Sequence, residues 1–236
     1  MRISWQYSVA FLICFHASLF AQSAKALATQ YVECVRNDKG VDTASRKLQT
    51  PIFTSKQGGR AFGVAAAEFI PAQGCENSTM LYVAEPRSSF RLVFQQDPER
   101  NPDGSTYDGN GVENIRWSPS GKRVLAAISQ WIWGSDGGGG TKYVIFNSGD
   151  RTAKPISPSP DEVIGNYFKQ LCTTRVTTTG WIDDDRIELT ASPFVWIDEE
   201  GIPDSTPSCV KKPMKFSFDI ITGHLKPLSA AGKRHR

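Results

Sequence analysis

Val112-Glu113-Asn114-Ile115-Arg116-Trp117-Ser118-Pro119-Ser120-Gly121-Lys122-Arg123-Val124-Leu125-Ala126 carries the clearest strand–turn–strand grammar in the chain. A strand ends at Trp117. Pro119 fixes one backbone angle of the turn, Gly121 releases another, and Val124 to Ser129 returns as a second strand. Tyr143-Val144-Ile145-Phe146 then reads as a buried strand, and Asn147-Ser148-Gly149-Asp150 turns it towards Lys154-Pro155-Ile156. Residues 112–157 therefore form one four-stranded unit.

Two other segments share this layout. Over 51–96, Ser55-Lys56-Gln57-Gly58-Gly59 makes a hairpin between Pro51–Thr54 and Ala61–Ala67. A loop from Pro71 to Thr79 holds Cys75, and Met80–Ala84 and Phe90–Phe94 follow as strands. Over 173–229, Arg175–Trp181 is followed by the turn Asp183-Asp184-Asp185, the strand Arg186–Thr190, a long loop, the strand Lys215–Ile220 and the closing His224–Leu228. Trp117, Leu125 and Ala127 match Trp181, Leu189 and Ala191 at a common offset of 64 residues, and Lys154-Pro155-Ile156-Ser157 matches Lys226-Pro227-Leu228-Ser229 at 72.

One helix separates the second and third units. Ser159-Pro160-Asp161-Glu162 is a capping box, and Pro160 sits where its missing amide costs nothing. Val163, Ile164, Tyr167, Phe168 and Leu171 then share one face, expected to pack on a sheet. A further helical turn is expected over Asp42–Leu48. The fold class is thus all-β with one short helix: three four-stranded antiparallel meanders, propeller-like or sandwich-like in their stacking.

The first 28 residues read as a secretory signal peptide: Arg2, an apolar run over 8–21, and small residues in Ala24-Lys25-Ala26 and Ala26-Leu27-Ala28. The run of about 14 residues falls short of the roughly 20 that span a bilayer. Residues 29–236 are expected to form a single β domain, exported to a periplasmic or extracellular compartment, with no membrane span after cleavage. The chain carries a formal charge of +3, and losing Arg2 and Lys25 leaves about +1, which argues against general attraction to nucleic acid.

The mature chain keeps Cys34, Cys75, Cys172 and Cys209, which allow three pairings. The repeats choose among them. Cys34 precedes the first unit and Cys75 lies in its middle loop; Cys172 precedes the third unit and Cys209 lies in the equivalent loop. The economical pairing is Cys34–Cys75 with Cys172–Cys209, as suits an exported protein.

Ile115-Arg116-Trp117-Ser118-Pro119-Ser120-Gly121-Lys122-Arg123-Val124-Leu125-Ala126 resembles the blade signature of TolB-like and WD40-like β-propellers, and Phe218-Asp219-Ile220-Ile221-Thr222-Gly223 resembles their later strand and turn. The similarity is good over 112–128, weaker over 176–229 and only architectural over 51–96. It implies a ring of four-stranded blades used mainly to bind proteins or to support a separate catalytic domain. Three repeats fall short of the roughly 4–8 blades that close a ring.

No catalytic constellation stands out. His224 and His235 are the histidines of the mature chain, and no Gly-x-Ser-x-Gly elbow is present. Asp103, Asp108 and Asn110 do not keep EF-hand spacing, and Asp183-Asp184-Asp185 reads as a solvated turn. Gly137 to Gly140 lacks the Lys-Ser/Thr of a phosphate loop. No metal or cofactor is expected. Asn77-Ser78-Thr79 is a glycosylation sequon. Trp131 and Trp133, two residues apart beside the glycine run, either cover the core or form an aromatic platform. With Asp136 and Trp196 they make the candidate binding set. The expected function is a non-catalytic binding module acting through protein–protein contacts on its loop face. The alternative is a carbohydrate-binding or glycoside-hydrolysing protein using the aromatic and acidic loops.

Overall fold

The computed structural model describes residues 32, 34–72, 74–96, 109–131, 141–195 and 205–228. The strands, in chain order, are β1 (Val35–Arg36), β2 (Asp42–Ala44), β3 (Arg46–Gln49), β4 (Phe53–Thr54), β5 (Arg60–Ile70), β6 (Gly74–Ala84), β7 (Arg91–Gln96), β8 (Gly109–Trp117), β9 (Arg123–Trp131), β10 (Thr141–Asn147) and β11 (Lys154–Pro155). Helix α1 (Pro160–Tyr167) precedes β12 (Arg175–Trp181), β13 (Arg186–Ser192), β14 (Met214–Asp219) and β15 (Leu225–Pro227). Among the described residues the architecture is all-β with one short helix, as the sequence predicts, and its body is three antiparallel meanders.

Sheet I runs β3-β5-β6-β7, sheet II runs β8-β9-β10-β11 and sheet III runs β12-β13-β14-β15. β1 and β2 form a separate small hairpin. The first position of sheet I is shared by β3 and β4, both paired with β5. Pro51 breaks the strand because it has no amide to donate. Thr50 bridges the break: its amide donates to the Gly63 carbonyl, and its hydroxyl accepts from the Gly63 amide, each at 2.9 Å.

Sheet II is buried on both faces, so β9 reads as an unbroken apolar run with alternate side chains entering different cores. Val124, Ala126 and Ile128 meet Ala61, Leu81, Val83 and Val93 of sheet I. Leu125 and Ala127 meet Ile187, Leu189, Ala191, Phe216 and Phe218 of sheet III. β5 and β8 approach closely: a β-carbon built on Gly63 would stand 2.7–2.9 Å from three side-chain atoms of Val112.

The two outer sheets end differently. On sheet III, Glu188 accepts from Lys215 Nζ at 2.7 Å and from the Thr179 hydroxyl at 2.6 Å. On sheet I, Phe62 points away from the Ala61 core and stacks on Tyr82 at 4.9 Å, with Phe90 edge-on at 4.8 Å and the Arg60 guanidinium over Phe90.

Both disulfides have the expected pairing, Cys34–Cys75 and Cys172–Cys209. Cys75 is not in a loop, however. β5 and β6 are each 11 residues long and extend the hairpin past it. Ala65 and Ala67, small and buried, let Val32, Cys34 and Leu48 pack against this extension. The helical turn expected over Asp42–Leu48 is instead β2 and β3. Pairing with β1 and β5 overrides a weak local preference.

Ser159 caps α1, its hydroxyl accepting from the Glu162 amide at 3.2 Å, with Pro160 at the start. Val163, Ile164 and Phe168 pack against the sheet II–III core. Leu171 lies beyond the helix end and is 74% exposed, so it is no part of that face. Asn77 sits within β6 at 3% exposure, where a glycan has no room, which removes the sequon reading. Among the described residues no helix is long and apolar enough to cross a membrane. Residues 1–28, read above as a signal peptide, lie outside the described residues.

The repeat register differs from the offset of 64. The Ser118–Arg123 turn is one residue longer than the Ile182–Arg186 turn, judged by the amide–carbonyl bonds that close them. Trp117 pairs with Val124, and Trp181 with Ile187. Val124 therefore corresponds to Ile187, and both face the preceding sheet. Leu125 corresponds to Glu188 rather than to Leu189.

Candidate functional site

The first strand of each meander ends at a hairpin on the same end of the sheets. β4 ends at Thr54, β8 at Trp117 and β12 at Trp181. The next residue closes each turn: the Ser55 amide to Gly59 (2.7 Å), the Ser118 amide to Arg123 (2.9 Å) and the Ile182 amide to Arg186 (2.8 Å). These positions are equivalent, and they carry a repeated link between sheets. Trp117 Nε1 donates to the Phe53 carbonyl at 3.0 Å, and Trp181 Nε1 donates to the Arg116 carbonyl at 3.1 Å. Each indole thus binds the carbonyl one residue before its counterpart in the preceding sheet. A buried indole N–H needs such a partner, and the bond fixes the ring plane.

Between these links lies an open groove of about 500 Å³, lined by Phe53–Lys56, Ile115–Pro119 and Thr179–Trp181. Two glycines shape it. Gly59 leaves room for the Trp117 ring: a β-carbon there would be 2.7 Å from Cη2. Gly180, at φ +136°, lies against the Arg116 side chain, whose Cδ and Nη1 would be 3.5 Å from an added β-carbon.

The polar inventory of the groove is lopsided. Its lining contains Lys56 and Arg116 and no acid. Both cations are exposed, and among the described residues neither has a hydrogen-bonding or ionic partner. The hydroxyls are largely occupied: Ser55 accepts from the Gly59 amide, Ser118 from the Arg123 amide, and Thr179 donates to Glu188. Thr54 alone among the lining hydroxyl residues carries no such bond.

The acids of this end serve the fold. Asp183 accepts from the amides of Asp185 (3.1 Å) and Arg186 (2.9 Å) and from the Arg186 guanidinium, which holds its carboxyl below the usual range. Asp184 reaches back to the Ser120 amide at 3.0 Å, which lowers its pKa in turn. Asp185 pairs with Arg123. Asp219 accepts from the Ile221 and Thr222 amides, each at 2.9 Å, so the Thr222 amide foremost holds it low. On the rim between sheets I and II, Glu85 accepts from the Gly149 amide (2.7 Å) and the Ser148 hydroxyl (2.9 Å), which lower its pKa in that order. Among the described residues no three His, Cys, Asp or Glu side chains gather as a metal site.

Of the binding residues expected from the sequence, only the backbone of Trp131 is among the described residues. Trp131 closes β9, its backbone paired with Gly109, at the opposite end of the strand from the Trp117 hairpin. Its side chain, and Trp133, Asp136 and Trp196, lie outside the described residues, as do Asp103, Asp108 and Gly137 to Gly140. His224 follows the Thr222-Gly223 turn, its amide 3.3 Å from the Thr222 hydroxyl. Lys56, Arg116, Thr179 and Gly180 were missed. The usable signal was positional, since each falls within two residues of a strand end already marked by Thr54, Trp117 or Trp181. Compared with family models, with curated proteins and with solved structures, the chain matches none.

Proposed function

We propose that this chain is an exported, non-catalytic binding module related to the TolB-like and WD40-like propellers, and that it works by holding a protein partner. The observation that carries this reading is the groove between the inner strands. It presents fixed indole rings and two cations that have no partner among the described residues, a combination suited to binding. The two disulfides are compatible with export. The set Trp131, Trp133, Asp136 and Trp196, taken from the sequence, is a second contact region of the same proposal.

The test is comparative capture. Wild-type protein, Lys56→Glu/Arg116→Glu and Trp131→Ala/Trp133→Ala are each used to capture partners from the exported fraction of the source cells. A protein retained by the wild type and lost by either folded variant supports the reading and says which end binds. Turnover of a glycan in a parallel hydrolase screen would overturn it in favour of the carbohydrate-active alternative.

A further inference from the structure

Resting on the protein-binding reading above, we infer that the groove takes an extended, acidic polypeptide segment carrying at least one apolar side chain. Three features of the site point to this ligand.

The first is charge. Lys56 belongs to the sheet I hairpin and Arg116 to the end of β8, so two exposed positive charges stand one sheet apart along the groove. Asp183, Asp184 and Asp185, in the hairpin that follows Trp181, are already held by Arg186, Ser120 and Arg123. The charged side chains lining the groove are therefore both cationic, and an anionic ligand would complement them.

The second is hydrogen bonding. Both indole N–H groups are committed to backbone carbonyls, and three of the four lining hydroxyls are bonded within the chain. A neutral sugar brings many hydroxyl groups that each need a partner when desolvated. This groove has few to offer, since Ser55 and Ser118 are buried and Thr179 already donates to Glu188, so it suits a ligand whose polar demand is concentrated in carboxylates.

The third is the apolar remainder. Phe53, Ile115, Pro119 and the two indole rings line the groove between the cations. These surfaces fit a hydrophobic side chain flanked by acids better than a uniformly charged strand. A volume of about 500 Å³ falls within the range of ligand sites and holds roughly three or four residues of a peptide.

The experiment uses the full mature chain and four probes: a ten-residue peptide of alternating Asp and Glu with one central Leu, the same peptide with every acid replaced by Lys, a neutral cello-oligosaccharide, and an oligogalacturonate. None contains tryptophan, so binding is read from the intrinsic fluorescence and confirmed by calorimetry. The acidic peptide should bind, and the Lys peptide and the neutral sugar should not. Lys56→Glu/Arg116→Glu should weaken the acidic peptide by at least about tenfold, with an unchanged melting temperature, and raised salt should weaken the wild type in the same direction. Absence of acidic-peptide binding tighter than about 1 mM, or binding indifferent to the charge reversal, overturns the inference while leaving partner capture to decide the protein-binding reading. Binding of oligogalacturonate alone, lost on charge reversal, overturns the protein-binding reading as well and reassigns the groove to acidic glycans.

Discussion

Replacing Trp117 by Phe should measurably loosen the joint between sheets I and II. The ring keeps most of its apolar contact but loses the N–H that binds the Phe53 carbonyl at 3.0 Å. A buried carbonyl left without a donor costs about 1–3 kcal/mol. The missing ring volume, roughly 40 Å³, adds about 1 kcal/mol at ~24 cal/mol per Å³ of residual cavity. That void would open beside Gly59, whose bare backbone meets the far edge of the indole. Because Trp117 is only partly buried, water offsets some of the loss, and about 2 kcal/mol is the expected net cost. For a domain of this size that lowers the melting temperature by roughly 4–8 °C. Urea unfolding followed by circular dichroism gives the free energy, with thermal unfolding as a check. Thr54→Ala is the control: Thr54 is the exposed counterpart of Trp117 in sheet I, and removing its hydroxyl should change little. A Trp117→Phe cost below about 0.5 kcal/mol, or one no larger than that of the control, would refute the idea that the indoles tie consecutive sheets together.

Other outcomes follow from the packing. Gly63→Ala should cost about 1–3 kcal/mol by urea unfolding, because its β-carbon would collide with Val112, and adding Val112→Ala should recover part of that loss. Leu125→Ala should cost about 2–5 kcal/mol. Glu188→Ala, its structural counterpart on the open face of sheet III, should cost less than about 1 kcal/mol in the same assay. Removing the Cys172–Cys209 bridge with paired Ala substitutions should cost about 3.8 kcal/mol by loop-closure entropy for a 37-residue separation, measured under non-reducing conditions. Glu85 has a folded pKa below its ordinary 4.5, so its contribution is present above pH 4.5 and disappears as pH falls through the folded value. The gap in melting temperature between wild type and Glu85→Gln should therefore be widest at neutral pH and narrow as pH falls below 4.5 through the folded value.

The features legible in the sequence were those written locally. The turn at Ser118–Gly121, the cap at Ser159 and the meander order depend on residues a few positions apart, and the disulfide pairing followed from that order. Register was not legible, because β9 is apolar at both parities. In a sheet buried on both faces, Leu125 and Val124 look alike by hydropathy, and only the length of the third hairpin shows which of them answers to a residue of β13. The length of β5 and β6 was hidden for a related reason. Ala65 and Ala67 are weak strand formers, and their burial comes from Val32, Cys34 and Leu48 packing over them. The groove was hidden most fully. It is assembled from three strand ends more than sixty residues apart, and an indole bound to a carbonyl leaves no trace in composition. The tryptophans that marked the repeats, Trp117 and Trp181, proved to be its walls.

The unlike faces of sheets I and III give the stack a direction. A copied meander appended after β15 would have to rest on Glu188 and Lys215 and strip both of water, a cost that their mutual attraction does not repay. One inserted ahead of β3 would meet Phe62, Tyr82 and Phe90 instead, a surface already suited to stacking. An added sheet would therefore meet a smaller desolvation cost on the aromatic face of sheet I than on the ion-paired face of sheet III.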